Sequence, residues 1–164
     1  MSAAKPPEPA ATAVNRGSHI LIRTNVHPPR VGKVFPPDQL VSLRDISLVQ
    51  SQRTMWRKIL SEALANVDYC TLREALALIV FRSPGKVFDP TNFHTVLLFN
   101  TLKHLELIFD DSSRHLLYVA AGKYDKTGGM DIYLGPFDFA QEATSIAISS
   151  CRCTKLLFED ESRP

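Results

Sequence analysis

Long apolar runs are missing from this chain. The longest, Ala75–Phe81, falls far short of the roughly 18–20 residues a membrane-spanning helix needs, so any membrane contact is expected to be peripheral. The first 14 residues have no apolar stretch of a secretory signal and no Gly at position 2 for myristoylation, which points to synthesis and residence in the cytoplasm or nucleus. Cysteine is scarce: Cys70, Cys151 and Cys153 make an odd set without a disulfide framework, as a reducing compartment allows. Cys151-x-Cys153 is too closely spaced for half of a four-ligand zinc site, so buried small thiols are the expected reading.

The seven glycines form no dinucleotide-binding, phosphate-loop or nucleophile-elbow pattern. The five histidines show no i, i+4 metal spacing. Asp110-Asp111 has no second acidic cluster nearby to make a general acid/base pair. Gly128-Gly129 beside Lys126 reads as a tight turn. No catalytic residue, cofactor or metal is therefore expected, and the chain is read as a non-enzyme. Only one tryptophan is present, and no strand interleaves exposed aromatics with basic residues, so sequence-specific nucleic-acid readout is not expected either.

What is present is an uneven charge. Residues 1–60 hold nine Lys or Arg against three acids, a balance of +6; residues 61–164 balance at −4. Seven of the eleven prolines lie in the first 37 residues. A basic, proline-broken arm thus precedes a mildly acidic body, a design that suits attraction to phosphate or an anionic surface. The candidate polyanion- or membrane-binding residues are Lys5, Arg16, Arg23, Arg30, Lys33, Arg53, Arg57 and Lys58. Residues 1–18 are expected to be a disordered arm, residues 19–158 one domain, and residues 159–164 an acidic tail. Within the domain, residues 26–46 form an extended strap, because the Pro28-Pro29 and Pro36-Pro37 pairs oppose both helix and central strand. Val31, Val34 and Phe35 lie between those pairs and are the candidate contacts to a second copy or a fixed partner.

Periodicity supplies the elements. His19–Thr24 reads as a strand. Ser51–Val67 reads as an amphipathic helix, with Met55, Ile59 and Ala63 beside a row of Trp56, Leu60 and Leu64. Thr71-Leu-Arg-Glu74 has capping-box spacing, and Leu72, Ala75, Leu76, Ile79 and Val80 fit the buried stripe of a second helix ending at Ser83. His104–Phe109 and Arg114–Ala120 read as a hairpin across Asp110–Ser113, pairing Leu105 with Tyr118 and Leu107 with Leu116. Met130–Leu134 is a further strand, and Ala143–Phe158 reads as strand. The expected class is α+β: two amphipathic helices on one face of a mainly antiparallel sheet, preceded by a proline-rich extended arm.

Over residues 18–158 this order resembles the matrix proteins of rhabdoviruses. The matching features are a basic strand ending Arg23-Thr24-Asn25 with proline close behind, Ser51-Gln-Arg-Thr54 opening a helix, a second apolar helix ending near Ser83, and His104–Phe109 running into an acidic turn. The Lys5-Pro-Pro-Glu-Pro9 segment lacks the tyrosine of the animal-virus budding motif, and the first strand and first helix lie farther apart than in that family; a plant-infecting member fits both departures better. The resemblance implies a non-enzymatic virion protein that self-associates, condenses viral ribonucleoprotein by non-specific RNA contact, and touches the inner face of the envelope from the host cytoplasm. The alternative is a cellular scaffold or adaptor subunit, binding a protein partner through the strap.

Overall fold

The computed structural model of the chain describes residues 7–29, 43–84 and 93–160. Lys5, Arg30, Lys33, Val31, Val34, Phe35 and most of the strap lie outside these residues, as do the side-chain surroundings of Cys151 and Cys153. The elements are β1 (Ala11–Asn15), β2 (Ile20–Thr24), α1 (Leu43–Leu64), β3 (Ala75–Ser83), α2 (Val96–His104), β4 (Leu116–Tyr124), β5 (Gly129–Pro136) and α3 (Ala140–Asp160). Together they form an α+β fold with a mixed five-stranded sheet in the order β1-β2-β5-β3-β4. Three pairings are antiparallel, and β3 with β4 is parallel.

Helices cover both faces of the sheet, not one. Trp56, Ile59, Leu60 and Leu64 of α1 and Leu98, Phe99 and Leu102 of α2 pack with Ile22, Ala77, Ile79, Phe81 and Ile132 on the first face. On the second, Ala143 of α3 and Phe139 before it pack on Leu76, Leu78, Val80 and Ala121, with Ile146 and Ala147 beside them.

The expected second helix over 72–83 is instead β3. Its first eight residues are all buried. Ala75–Phe81 is apolar throughout, so it satisfies a helical stripe and a strand buried on both faces equally well. Two neighbouring strands and a helix on each face decide for the strand. Thr71 and Glu74 accordingly open no helix: the chain there bends into β3, with the Leu72 amide donating to the Leu107 carbonyl at 2.9 Å.

The expected hairpin is also replaced. Parallel strands β3 and β4 require a crossover, and α2 supplies it. Leu97, Leu98, Thr101 and Leu102 recur at helical spacing and are buried. The helix ends at a reciprocal pair of bonds: the Glu106 amide donates to Lys103 and the Leu107 amide to Leu102, both at 3.0 Å. Leu105 therefore does not pair with Tyr118, which is half exposed, nor Leu107 with Leu116. The final segment is α3 where strand was expected. Thr144, Ile146 and Ile148 favour strand locally, but Ala143, Ile146, Ala147 and Ser150 make a helical stripe whose alanines allow close approach to the sheet.

The arm differs as well. Residues 11–15, expected to be disordered, form β1, an edge strand paired along its length with β2. The start of the strap folds onto its own domain: the His27 ring packs against Phe81 and Phe93, and the Pro29 carbonyl accepts from the His94 amide at 2.8 Å. The β2 and β5 strands and the turn before Gly129 stand close to where they were expected. Among the described residues no helix is long and apolar enough to cross a membrane.

Candidate anion-binding cleft

Burial of one stripe of α1 decides where its charges go. With Trp56, Ile59 and Leu60 turned into the core, Arg53, Arg57 and Lys58 are exposed. On α2, burial of Leu97, Leu98 and Leu102 leaves Asn100, Lys103 and His104 exposed. The two outward faces meet in a cleft of about 400 Å³ lined by Arg53, Arg57, Asn100, Thr101, Lys103 and His104. No acid lines it. Arg53 and Arg57, one turn apart, stand on the same side of their helix. Among the described residues neither has a carboxylate partner. Lys103 is held at the rim by Asp110 and by Asp111, the latter at 3.4 Å. These hydrogen bonds raise the Lys103 pKa and hold Asp110 well below the usual carboxylate range, so both stay charged. Paired guanidinium forks with an amide and an imidazole beside them match the oxygens of a phosphate group.

Of the basic residues singled out in the sequence, those among the described residues stand in different places. Arg53 and Arg57 line the cleft, and Lys58 lies on the same helix outside it. Arg16 is exposed in the β1–β2 turn. Arg23 is committed elsewhere: its guanidinium donates to both carboxylate oxygens of Asp131, at 3.0 and 3.2 Å. Sequence reasoning missed Asn100, Lys103 and His104, because it began a strand at His104 and assigned no helix to the residues before it. The helical spacing of Leu98, Thr101 and Leu102 was the available signal.

Two further polar clusters are structural. Arg82 and Asp131, both buried, pair at 3.2 Å; Arg82 also donates to the Thr24 carbonyl at 2.7 Å and the Thr127 hydroxyl at 3.0 Å. This network ties the ends of β2, β3 and β5 together. At the opposite end Ser18, His19 and Glu142 meet. The Ser18 hydroxyl lies 3.0 Å from His19 Nδ1 and 2.7 Å from Glu142 Oε2, and Glu142 Oε1 lies 3.6 Å from the same Nδ1. A serine–histidine relay needs its serine and its acid on opposite ring nitrogens. Here both crowd one nitrogen, and the cluster fastens the first turn of α3 to the β1–β2 turn. His19 stacks on Phe139 at 4.6 Å. Burial there pushes its pKa below the ordinary 6.5, Arg16 adds to that, and Glu142 opposes it. Among the described residues no three His, Cys, Asp or Glu gather as a metal site.

No protein-family model matches this chain, and no curated protein matches it significantly.

Proposed function

We propose that this chain is a non-enzymatic matrix-type protein of the rhabdovirus kind. It associates with itself, condenses a ribonucleoprotein by holding RNA phosphates, and contacts anionic headgroups peripherally at the inner face of the envelope. The observation that carries this reading is the α1–α2 cleft, where two arginines, a lysine, a histidine and an asparagine converge and, among the described residues, no acid lines the cleft and neither arginine has a carboxylate partner. Such a site gives affinity for phosphate without sequence readout, which is what coating a nucleocapsid demands.

The test is single-stranded RNA binding by fluorescence anisotropy across a salt series, on wild type and on the double variant Arg53→Ala/Arg57→Ala. Wild type is expected to weaken linearly in log–log form. Removing two phosphate contacts should flatten that slope by about 1.4 on the single-strand scale of roughly 0.7 per contact. Vesicles with and without anionic lipid, sedimented with the same proteins, test the membrane part. Unchanged RNA binding and an unchanged slope in the double variant overturn the cleft as the contact. A wild-type chain that is monomeric and binds neither RNA nor vesicles favours the adaptor reading.

A further inference from the structure

We infer that β4 is where two copies of this chain join, antiparallel and edge to edge, about a two-fold axis at Tyr118. This deepens the self-association in the proposed function and rests on that part of it, but the observations are separate from the cleft. The sheet order leaves β4 at one end, and among the described residues no strand pairs on its outer side. Edge strands of monomers are commonly short, interrupted by proline or guarded by charge. The opposite edge, β1, is five residues long. By contrast, β4 runs nine residues, and Leu116–Gly122 contains neither charge nor proline.

Its exposed residues are apolar on both faces. Leu117, Tyr118 and Val119 are 51%, 52% and 51% exposed. Exposed apolar residues continue into both flanking layers, with Val96 at the start of α2 and Ile148 in α3. Phe99, one turn after Val96, meets the Tyr118 ring at 4.9 Å, so α2 stands directly beside this edge.

The backbone supports a two-fold pairing at Tyr118. In a parallel pair, alternate residues direct both peptide groups to the neighbour. The Ala75 amide donates to the His115 carbonyl at 2.8 Å, which turns the odd-numbered residues of β4 toward β3. Leu116, Tyr118, Ala120 and Gly122 therefore present N–H and C=O outward. With Tyr118 on the axis, it exchanges both hydrogen bonds with its own counterpart. Leu116 then faces Ala120 of the second copy, and Leu117 faces Val119 across the pleat.

Charge favours a copy of the same chain as occupant. In this register Asp110, which also pairs with Lys103 of its own chain, falls opposite Lys126 of the second copy. Of the opposing charges, Arg114 falls opposite Gly122, and Asp125 is tied to the Thr127 hydroxyl and amide. Within residues 114–122 no like charges stand opposite one another; beyond that stretch Asp111 falls opposite Asp125.

The test is sedimentation velocity of the full chain in about 1 M salt, where the Debye length of roughly 3 Å suppresses the basic arm. Wild type should dimerise. Val119→Lys should weaken the dimer about tenfold or more, while Val119→Thr should retain it; equal melting temperatures show that both variants fold. Tyr118→Cys should give a 118–118 disulfide, identified by peptide mass, since a hydrogen-bonded pair sets Cα atoms about 5.5 Å apart, within disulfide reach. A monomeric wild type, a Val119→Lys protein that dimerises like wild type, or no 118–118 link overturns the inference. RNA binding of the same samples separates the two claims: Val119→Lys dimerising normally while RNA binds leaves the cleft reading standing, and a β4 dimer that binds no RNA leaves this one.

Discussion

Glu106 holds a backbone conformation that a side chain opposes. Its φ of 59° places it in the left-handed region, where a residue with a Cβ costs roughly 1–2 kcal/mol relative to glycine. The position closes α2, and helices commonly end on glycine there. Leu102 and Leu107, both fully buried in the same core cluster, are joined across the turn by the Leu107 amide donating to the Leu102 carbonyl. Glu106→Gly should therefore stabilise the fold, by about 0.5–1 kcal/mol after the extra freedom of the unfolded chain is counted; urea unfolding with unchanged slope checks it. Gly129 is the converse. Its φ is +97°, and a Cβ there would stand 2.1 Å from the Thr24 carbonyl oxygen, so this turn admits glycine alone. Asp131 bears on the same region. Asp131→Ala leaves Arg82 buried without its counter-charge and should cost about 3–5 kcal/mol. Arg23→Ala removes an exposed partner and leaves the buried pair intact, so about 0–1 kcal/mol is expected. Thermal melts of the two variants side by side test that ordering.

At the scale of elements, the described half of α3 is held by few side chains. Its described buried stripe is small, and its first turn depends on the Ser18–His19–Glu142 cluster and on Phe139. His19 is buried in its neutral form, with a folded pKa below 6.5. The unfolded chain takes up a proton as pH falls through 6.5, and the folded chain resists it. Stability is therefore complete above that value and declines as pH falls toward the lowered folded pKa. Glu142 and Arg16 are the charged groups that bear on this imidazole, and they pull in opposite directions. The melting temperature should fall between about pH 7 and pH 5, more steeply in Glu142→Gln, which loses the group that eases protonation. In His19→Gln the fall over this window should be smaller. A wild-type melting temperature unchanged across the window refutes the assignment. The α1 helix is anchored differently, through Trp56, Ile59, Leu60 and Leu64. Leu60→Ala should cost about 2–5 kcal/mol in urea titration; a variant as stable as the parent contradicts the packing described.

For the whole molecule, one basic cleft and one uncharged edge lie on different parts of a single fold. Loss of one should leave the other working, so RNA binding and dimerisation ought to separate cleanly in the Arg53→Ala/Arg57→Ala and Val119→Lys proteins. How much of this was legible in the sequence depended on how local the deciding forces were. The α1 stripe, the β2 and β5 strands and the glycine turn at 128–129 were readable, because each rests on a period or a backbone preference of its own residues. Arg53 and Arg57 were readable as an exposed basic pair for the same reason. Ala75–Phe81 was not, since an unbroken apolar run fits a buried helix or a central strand, and only β4 and β5 on either side distinguish them. Once that segment became a strand, the parallel pairing with β4 required a helix at 96–104. Lys103 and His104 then came beside Arg53 and Arg57. Composition thus determined that the chain is basic at its start and able to form one core. Long-range strand pairing, which no local pattern contains, decided which basic residues share a cleft and which strands end the described sheet.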